Sequence, residues 1–190
     1  MKYYLGGING AGKTTLLHAI KEAAPNFEII KGSTALMQYL GIPGDYEALR
    51  KLRYDDDAEL KFRAMMAGIT ARTDDLIYDG HYLNIVRGEI FPITGPWVAG
   101  FDAILLLRIS TDAVLRRIEA DQHKRDRALF PEGTSADEQR TILEDYIGKY
   151  DTEFNRCVTE YGLKSKVLDE EKPTAEILKD FLAFDRELRK

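Results

Sequence analysis

Near its amino terminus the chain reads Gly7-Ile8-Asn9-Gly10-Ala11-Gly12-Lys13-Thr14-Thr15, three glycines followed by a lysine and two hydroxyls. Glycines let the backbone wrap tightly enough for successive N–H groups to converge on one anion. The amides that open a following helix add to the same positive field. In this spacing a lysine reaches the β- and γ-phosphates of a nucleoside triphosphate, and the threonine hydroxyl after it is a ligand for Mg²⁺. Gly7, Asn9, Gly10, Ala11, Gly12, Lys13, Thr14 and Thr15 are therefore the candidate nucleotide-binding residues, with Thr15 directed at an α-phosphate oxygen. The implied cofactors are ATP and Mg²⁺.

A second chemical signal is Leu76-Ile77-Tyr78-Asp79, an apolar run ending in a carboxylate. A strand-end aspartate is where Mg²⁺ is held in such proteins, so Thr14 and Asp79 form the expected metal pair. Gly80 follows where a motor-type ATPase would carry a water-activating glutamate, which points away from efficient hydrolysis. Gly80 is expected instead to admit a second substrate, with His81 as a contact to it.

Basic residues fall into two further groups. Arg116 and Arg117 precede Lys124-Arg125-Asp126-Arg127 in a polar stretch. Arginines aimed at the equatorial oxygens of a transferring phosphoryl group contribute about 10³–10⁵ in rate. Lys13, Asp79, Arg116, Arg117, Arg125 and Arg127 are thus the catalytic candidates, the last two on a lid that excludes water. The other group, Arg50-Lys51 and Arg53, lies where an acceptor phosphate would sit, and a guanidinium grips phosphate bidentately.

These residues need elements to position them. Lys2–Leu5, Phe27–Ile30, Leu76–Tyr78, Ala103–Leu107 and Lys166–Leu168 are β-prone runs, each bounded by turn residues or helical patterns. Between them lie helical segments: 14–24, 33–40, about 45–52 and 55–72, one from Thr111 or Asp112, a long one carrying Ile142 to Tyr161, and a last one started by Pro173. Alternation of strand and helix predicts βαβ units and a parallel sheet covered on both faces. The stretch 121–137 is polar and reads as a loop; Pro92, Pro96 and Trp97 sit in a long connection.

Length and composition set the limits. The chain has 190 residues, 44% hydrophobic and 31% charged, which suits one globular domain spanning 1–190. The longest apolar run, Ala103–Leu107, is far below the ~20 residues of a membrane helix. With no signal-peptide pattern, a cytoplasmic protein is expected. Cys157 is the single cysteine, so it reads as a small half-buried residue rather than a disulfide or metal ligand. The net charge of −5 argues against a nucleic-acid partner and leaves a small molecule as the acceptor. A monomer or small homo-oligomer is expected.

The order and spacing of these features resemble the archaeal-type adenylate kinases and related P-loop nucleoside monophosphate kinases. The resemblance runs through the phosphate loop, Ile29-Ile30-Lys31-Gly32-Ser33 with Met37, Ala48-Leu49-Arg50-Lys51-Leu52, Tyr78-Asp79-Gly80-His81, Gly95-Pro96-Trp97-Val98, Asp102-Ala103-Ile104-Leu105, Arg116-Arg117 and Asn155-Arg156-Cys157. It implies a three-layer α/β P-loop NTPase fold with a five-stranded parallel sheet of order 2-3-1-4-5. It also implies an acceptor region at about 33–72, a lid at about 121–137, and Mg²⁺-dependent transfer from ATP to a nucleoside monophosphate. Ser33, Arg50, Arg53 and His81 become the acceptor-binding candidates. Departures cluster beside the acceptor and lid: Gly80 replaces the family's threonine, the lid reads Asp-Gln-His-Lys-Arg-Asp-Arg, and 128–139 is longer. A hydroxyl acceptor (nucleoside, small metabolite or nucleic-acid 5′ end), with Asp79 as base, is the alternative within enzymes. A nucleotide-dependent switch with slow ATPase is the alternative outside them.

Overall fold

The computed structural model describes residues 1–51, 56–86, 88–121 and 130–190. Five strands, β1 (Lys2–Gly6), β2 (Glu28–Lys31), β3 (Leu76–Gly80), β6 (Ala103–Arg108) and β7 (Lys164–Asp169), form one sheet in the order β2-β3-β1-β6-β7. All four neighbouring pairs are parallel. Counted within this sheet alone the order is the expected 2-3-1-4-5. The numbering differs because β4 (Leu83–Val86) and β5 (Glu89–Pro92) form a separate antiparallel hairpin. That hairpin falls in the long connection expected around Pro92 and Pro96. Its Leu83, Ile85, Val86, Ile90 and Phe91 are β-prone, but the two runs are only four residues each.

The helices are α1 (Lys13–Ala23), α2 (Gly32–Tyr39), α3 (Tyr46–Lys51), α4 (Asp56–Thr70), α5 (Thr111–Asp121), α6 (Ala136–Tyr161) and α7 (Thr174–Leu188), with a 3₁₀ turn over Pro96–Gly100. The polar loop expected to run to 137 ends earlier. Ser135 accepts from the Glu138 amide while the Glu138 carboxylate accepts from the Ser135 amide, and this reciprocal capping starts α6 at Ala136. Polar composition had masked a helix start.

Alternation along β1 sends Tyr3 and Tyr4 to opposite faces of the sheet. Tyr3 packs edge-on against Phe27 and Phe181, and its hydroxyl donates to Asp185 Oδ1 at 2.7 Å. Tyr4 stacks on Tyr78 and meets Tyr82, Trp97 and Phe101. Both rings are buried, so helices cover both faces. Cys157 is fully buried rather than half-buried, its sulfur against Glu153.

At the amino-terminal edge of the sheet Asp75 accepts from Asn26 at 2.8 Å, pairs with Arg189 at 3.0 Å and meets the Met1 amino group. Burial alone would raise the Asp75 pKa, but these donors outweigh it and hold it at about 2. An unfolded aspartate titrates near 3.9, so Asp75 contributes stability above that pH and loses it as pH falls toward about 2. Allowing for solvent screening, the contribution is about 1 kcal/mol. Asp75→Asn is expected to lower Tm at pH 7 by about 2–4 °C and to flatten the acid sensitivity of stability between pH 4 and 2. Thermal and urea unfolding across that range measure both; an Asn variant with unaltered Tm and acid slope refutes the assignment.

Candidate functional site

The carboxyl ends of the strands open into a cleft of ≈ 1780 Å³, the usual ligand position in an open parallel sheet. Its floor at one end is the loop between β1 and α1. Gly10 and Gly12 both take φ near +89°, a conformation a side chain resists, and the Ala11 amide donates to Ile8 O at 3.1 Å. Gly12 is the N-cap of α1 and offers no side chain, so no side-chain cap occupies the amides that open this helix. Thr14 and Thr15 are exposed to the cleft. Gly7 lies behind the loop: its amide donates to the Tyr150 hydroxyl at 2.9 Å and so does not face the cleft. The same oxygen accepts from the Tyr82 amide at 3.0 Å, tying the loop's start to the chain just after β3.

Lys13 folds back over the loop. Its Nζ donates to Gly7 O at 2.6 Å and lies 3.9 Å from Asp79 Oδ1. Burial lowers its pKa to about 8, against the opposing pull of Asp79. Burial raises the pKa of Asp79 in turn, although Lys13 and Lys31 favour its charge. Each charge is held where water stabilises it poorly, as expected of groups waiting for a charged ligand. Thr14 and Asp79 offer hard oxygen donors on the same cleft, which fits a Mg²⁺ ion shared with phosphates.

His81 lines the cleft too. Its pKa is pushed well down by burial and by Lys13, and its Nδ1 is buried with no protein partner among the described residues. Gly80 lines the cleft, and its smallness has a second reason: a Cβ there would lie 2.5 Å from the Tyr4 hydroxyl, so a side chain would collide with a core ring. The Tyr4 hydroxyl donates to His81 O.

Of the paired arginines on α5, only Arg117 turns toward the loop. Its Nη1 donates to Gly10 O at 2.6 Å and its Nη2 pairs with Glu170, just after β7. Arg116 is exposed and does not line the cleft. Arg53, Lys124, Arg125 and Arg127 lie outside the described residues, as does most of the expected lid. Arg50 lies on α3, and its side chain is likewise not described.

The far half of the cleft is walled by α2, α4, the β4–β5 hairpin and the segment 93–97. Ser33 lines it at the start of α2, next to Lys31. Phe62 meets Trp97 edge-on with centroids 5.3 Å apart, and Phe91 and Asn84 add to the wall. Thr94 donates to the buried Glu153, which pairs with Arg156 at 2.7 Å, so α6 anchors this wall. Arg63 brings a further cation, paired with Glu59 at 2.5 Å.

The sequence alone assigned no site role to Lys31, Phe62, Arg63, Asn84, Thr94, Tyr150 or Glu170. Lys31 carried a usable signal, sitting at the carboxyl end of a strand directly before a helix. The others gave none, because helix faces and distant partners come together only on folding.

A phosphate loop opening a helix from a five-stranded parallel sheet, facing a strand-end aspartate, defines a P-loop nucleotide-binding α/β fold. The chain belongs to the AAA domain family, whose model matches residues 6–132. Among solved structures it is similar to shikimate kinase from Bacteroides thetaiotaomicron, at a TM-score of 0.67 and 14% identity over 98% of each chain. The shikimate kinase of Acinetobacter baumannii in complex with shikimate superposes at 0.62, with 14% identity over 98% of this chain and 93% of that one. Deoxyadenosine kinase from M. mycoides superposes at 0.55, with 16% identity over 99% and 100%. At these identities the likeness establishes the fold alone. No curated protein matches the chain. Among the described residues no helix is long and apolar enough to cross a membrane.

Proposed function

We propose that the protein is a cytoplasmic, ATP-dependent phosphotransferase acting on a small acceptor, with a nucleoside monophosphate as the leading acceptor class. The observation that carries this reading is one cleft with two unlike ends joined at Lys13 and Asp79. The loop end offers backbone amides and cations for a triphosphate. The other end offers the aromatic wall of Phe62, Phe91 and Trp97 for a planar base, with Lys31 and Arg63 for a phosphate. Shikimate kinase and deoxyadenosine kinase share the fold, which supports a small-molecule acceptor.

In this reading an acceptor phosphate oxygen attacks the γ-phosphorus, the bond to the β–γ bridging oxygen breaks, and ADP leaves. The loop amides and Lys13 hold the donor phosphates in line, and Arg117 adds positive charge at the loop rim. Thr14 and Asp79 are the residues that would hold Mg²⁺, which would supply charge neutralisation for the donor phosphates. An acceptor phosphate is already ionised at neutral pH, so no general base is needed. Arg50, Arg53, Arg125 and Arg127 are proposed to complete the acceptor grip and the lid.

A second reading rests on Asp79 itself. A half-buried carboxylate with a raised pKa at the junction is suited to take a proton from a hydroxyl acceptor. The two readings separate by their products. ATP consumption is expected to rise at least about tenfold with one member of a panel of nucleoside monophosphates, yielding two diphosphates; that factor is 1.4 kcal/mol of barrier. Stimulation by a nucleoside, sugar or hydroxy acid, yielding a phosphate monoester, would replace the first reading with the second. Slow turnover that no acceptor stimulates would count against both and favour a switch.

A further inference from the structure

The rim of the phosphate loop carries a carboxylate, which is an unusual neighbour for a polyphosphate. Glu170 stands just beyond β7, held by its amide donating to Arg108 O at 3.0 Å. Its side chain is only 13% exposed. A Cβ built on Gly12 would lie 3.4 Å from Glu170 Oε1 and 3.3 Å from Arg117 Nη1. Both charged groups therefore press against the residue that opens α1, the place a phosphate would approach. Arg117 is the cation paired with Glu170 among the described residues, and it also grips Gly10 O at 2.6 Å.

We infer that Glu170 is a positioning residue: it fixes Arg117 on the loop rim, and Arg117 in turn neutralises a carboxylate that would otherwise repel the nucleotide. This rests on the nucleotide-binding reading and deepens it. A long arginine on a helix surface samples many rotamers, whereas a guanidinium held at two of its nitrogens is set in one place. Conversely, the Glu170 carboxylate is the shielded member, 13% exposed against 38% for Arg117, so removing Arg117 leaves a poorly solvated charge uncompensated. The two residues are thus coupled in a direction that ordinary structural damage does not produce. Losing Arg117 should harm binding more when Glu170 is present than when it has been neutralised.

The test is a double-mutant cycle read by calorimetric titration of ADP with magnesium into the full chain. Arg117→Ala is expected to weaken binding by at least about tenfold. Adding Glu170→Gln to that variant should recover at least about threefold of the loss, because the bare carboxylate is gone. Glu170→Gln alone should weaken binding by no more than about threefold while lowering kcat more than it changes KM for ATP. Losses that simply add, or a double variant weaker than Arg117→Ala, would overturn this inference and leave the nucleotide site standing. An unaltered chain that binds no ADP would overturn both the inference and the reading beneath it. Thermal melts of all four proteins verify that each is folded at the titration temperature.

Discussion

A chain carrying Lys13→Met is expected to lose about 10²–10³-fold in turnover, the scale for removing one preorganised charge-stabilising donor, while keeping or raising its Tm. The two halves of this expectation have one cause. Lys13 is buried on the loop, 2.6 Å from Gly7 O, and burial lowers its pKa to about 8. An unfolded lysine titrates near 10.4, so the unfolded chain binds this proton more tightly than the native one. Holding the charge therefore destabilises the fold at neutral pH, and the penalty fades as pH rises through 8 to 10. Methionine keeps the stem and sheds the charge, removing a cost of up to about 3 kcal/mol. A bound phosphate repays that same cost, which is why the lysine is useful there.

The free-enzyme pKa also sets a pH limb. With neutral Lys13 above about pH 8, kcat/KM for ATP should fall, while kcat at saturation stays flatter because bound phosphate holds the proton on. A parallel set of melts and rate profiles decides the matter. Full activity in Lys13→Met removes the residue from the chemistry. A collapse of Tm with lost activity would mean the lysine is structural.

Asp79→Asn is expected to reduce turnover by at least about 10²-fold and to erase the acid limb of the same profile. Asp79 lines the cleft beside Lys13, and burial raises its pKa from the ordinary aspartate value. Activity of the unaltered chain should therefore decline at a higher pH than an exposed aspartate would dictate. Asparagine keeps shape and hydrogen bonding but neither binds a hard cation as well nor accepts a proton. Because the native carboxylate is the penalised form, its folded pKa lies above the unfolded one. Its charge therefore detracts from stability at neutral pH, and Asp79→Asn should not lower Tm there. If nucleoside monophosphate is the acceptor, raising the magnesium concentration should recover part of the loss. With a hydroxyl acceptor the missing base should persist at any magnesium level. An Asn variant with wild-type kcat and an intact acid limb would remove Asp79 from the reaction.

Much of this site is legible before folding because its parts are local. The loop Gly7–Thr14 is contiguous, and its glycines are demanded by backbone conformations that Gly10 and Gly12 do adopt. The strand-end position of Asp79 follows from an apolar run broken by a turn. The central strands β1, β3 and β6, buried on both faces, read as near-continuous apolar runs, so a parallel sheet was within reach, while its order came only from the family resemblance.

What was not legible depends on direction and distance. Arg116 and Arg117 are adjacent letters, yet neighbouring helix positions point about 100° apart, and only the packing of α5 decides that Arg117 meets Gly10. That Gly80 must also clear the Tyr4 ring is visible only once the fold brings the two together. Glu170 and Tyr150 are far from the loop in sequence and reach it through β7 and α6. The sequence alone determined that this chain folds an anion-binding loop onto a parallel sheet, since both follow from short-range backbone geometry and periodic burial. Which charges surround that loop was decided only by tertiary structure, because a side chain's partner is set by how whole elements pack and not by its neighbours along the chain.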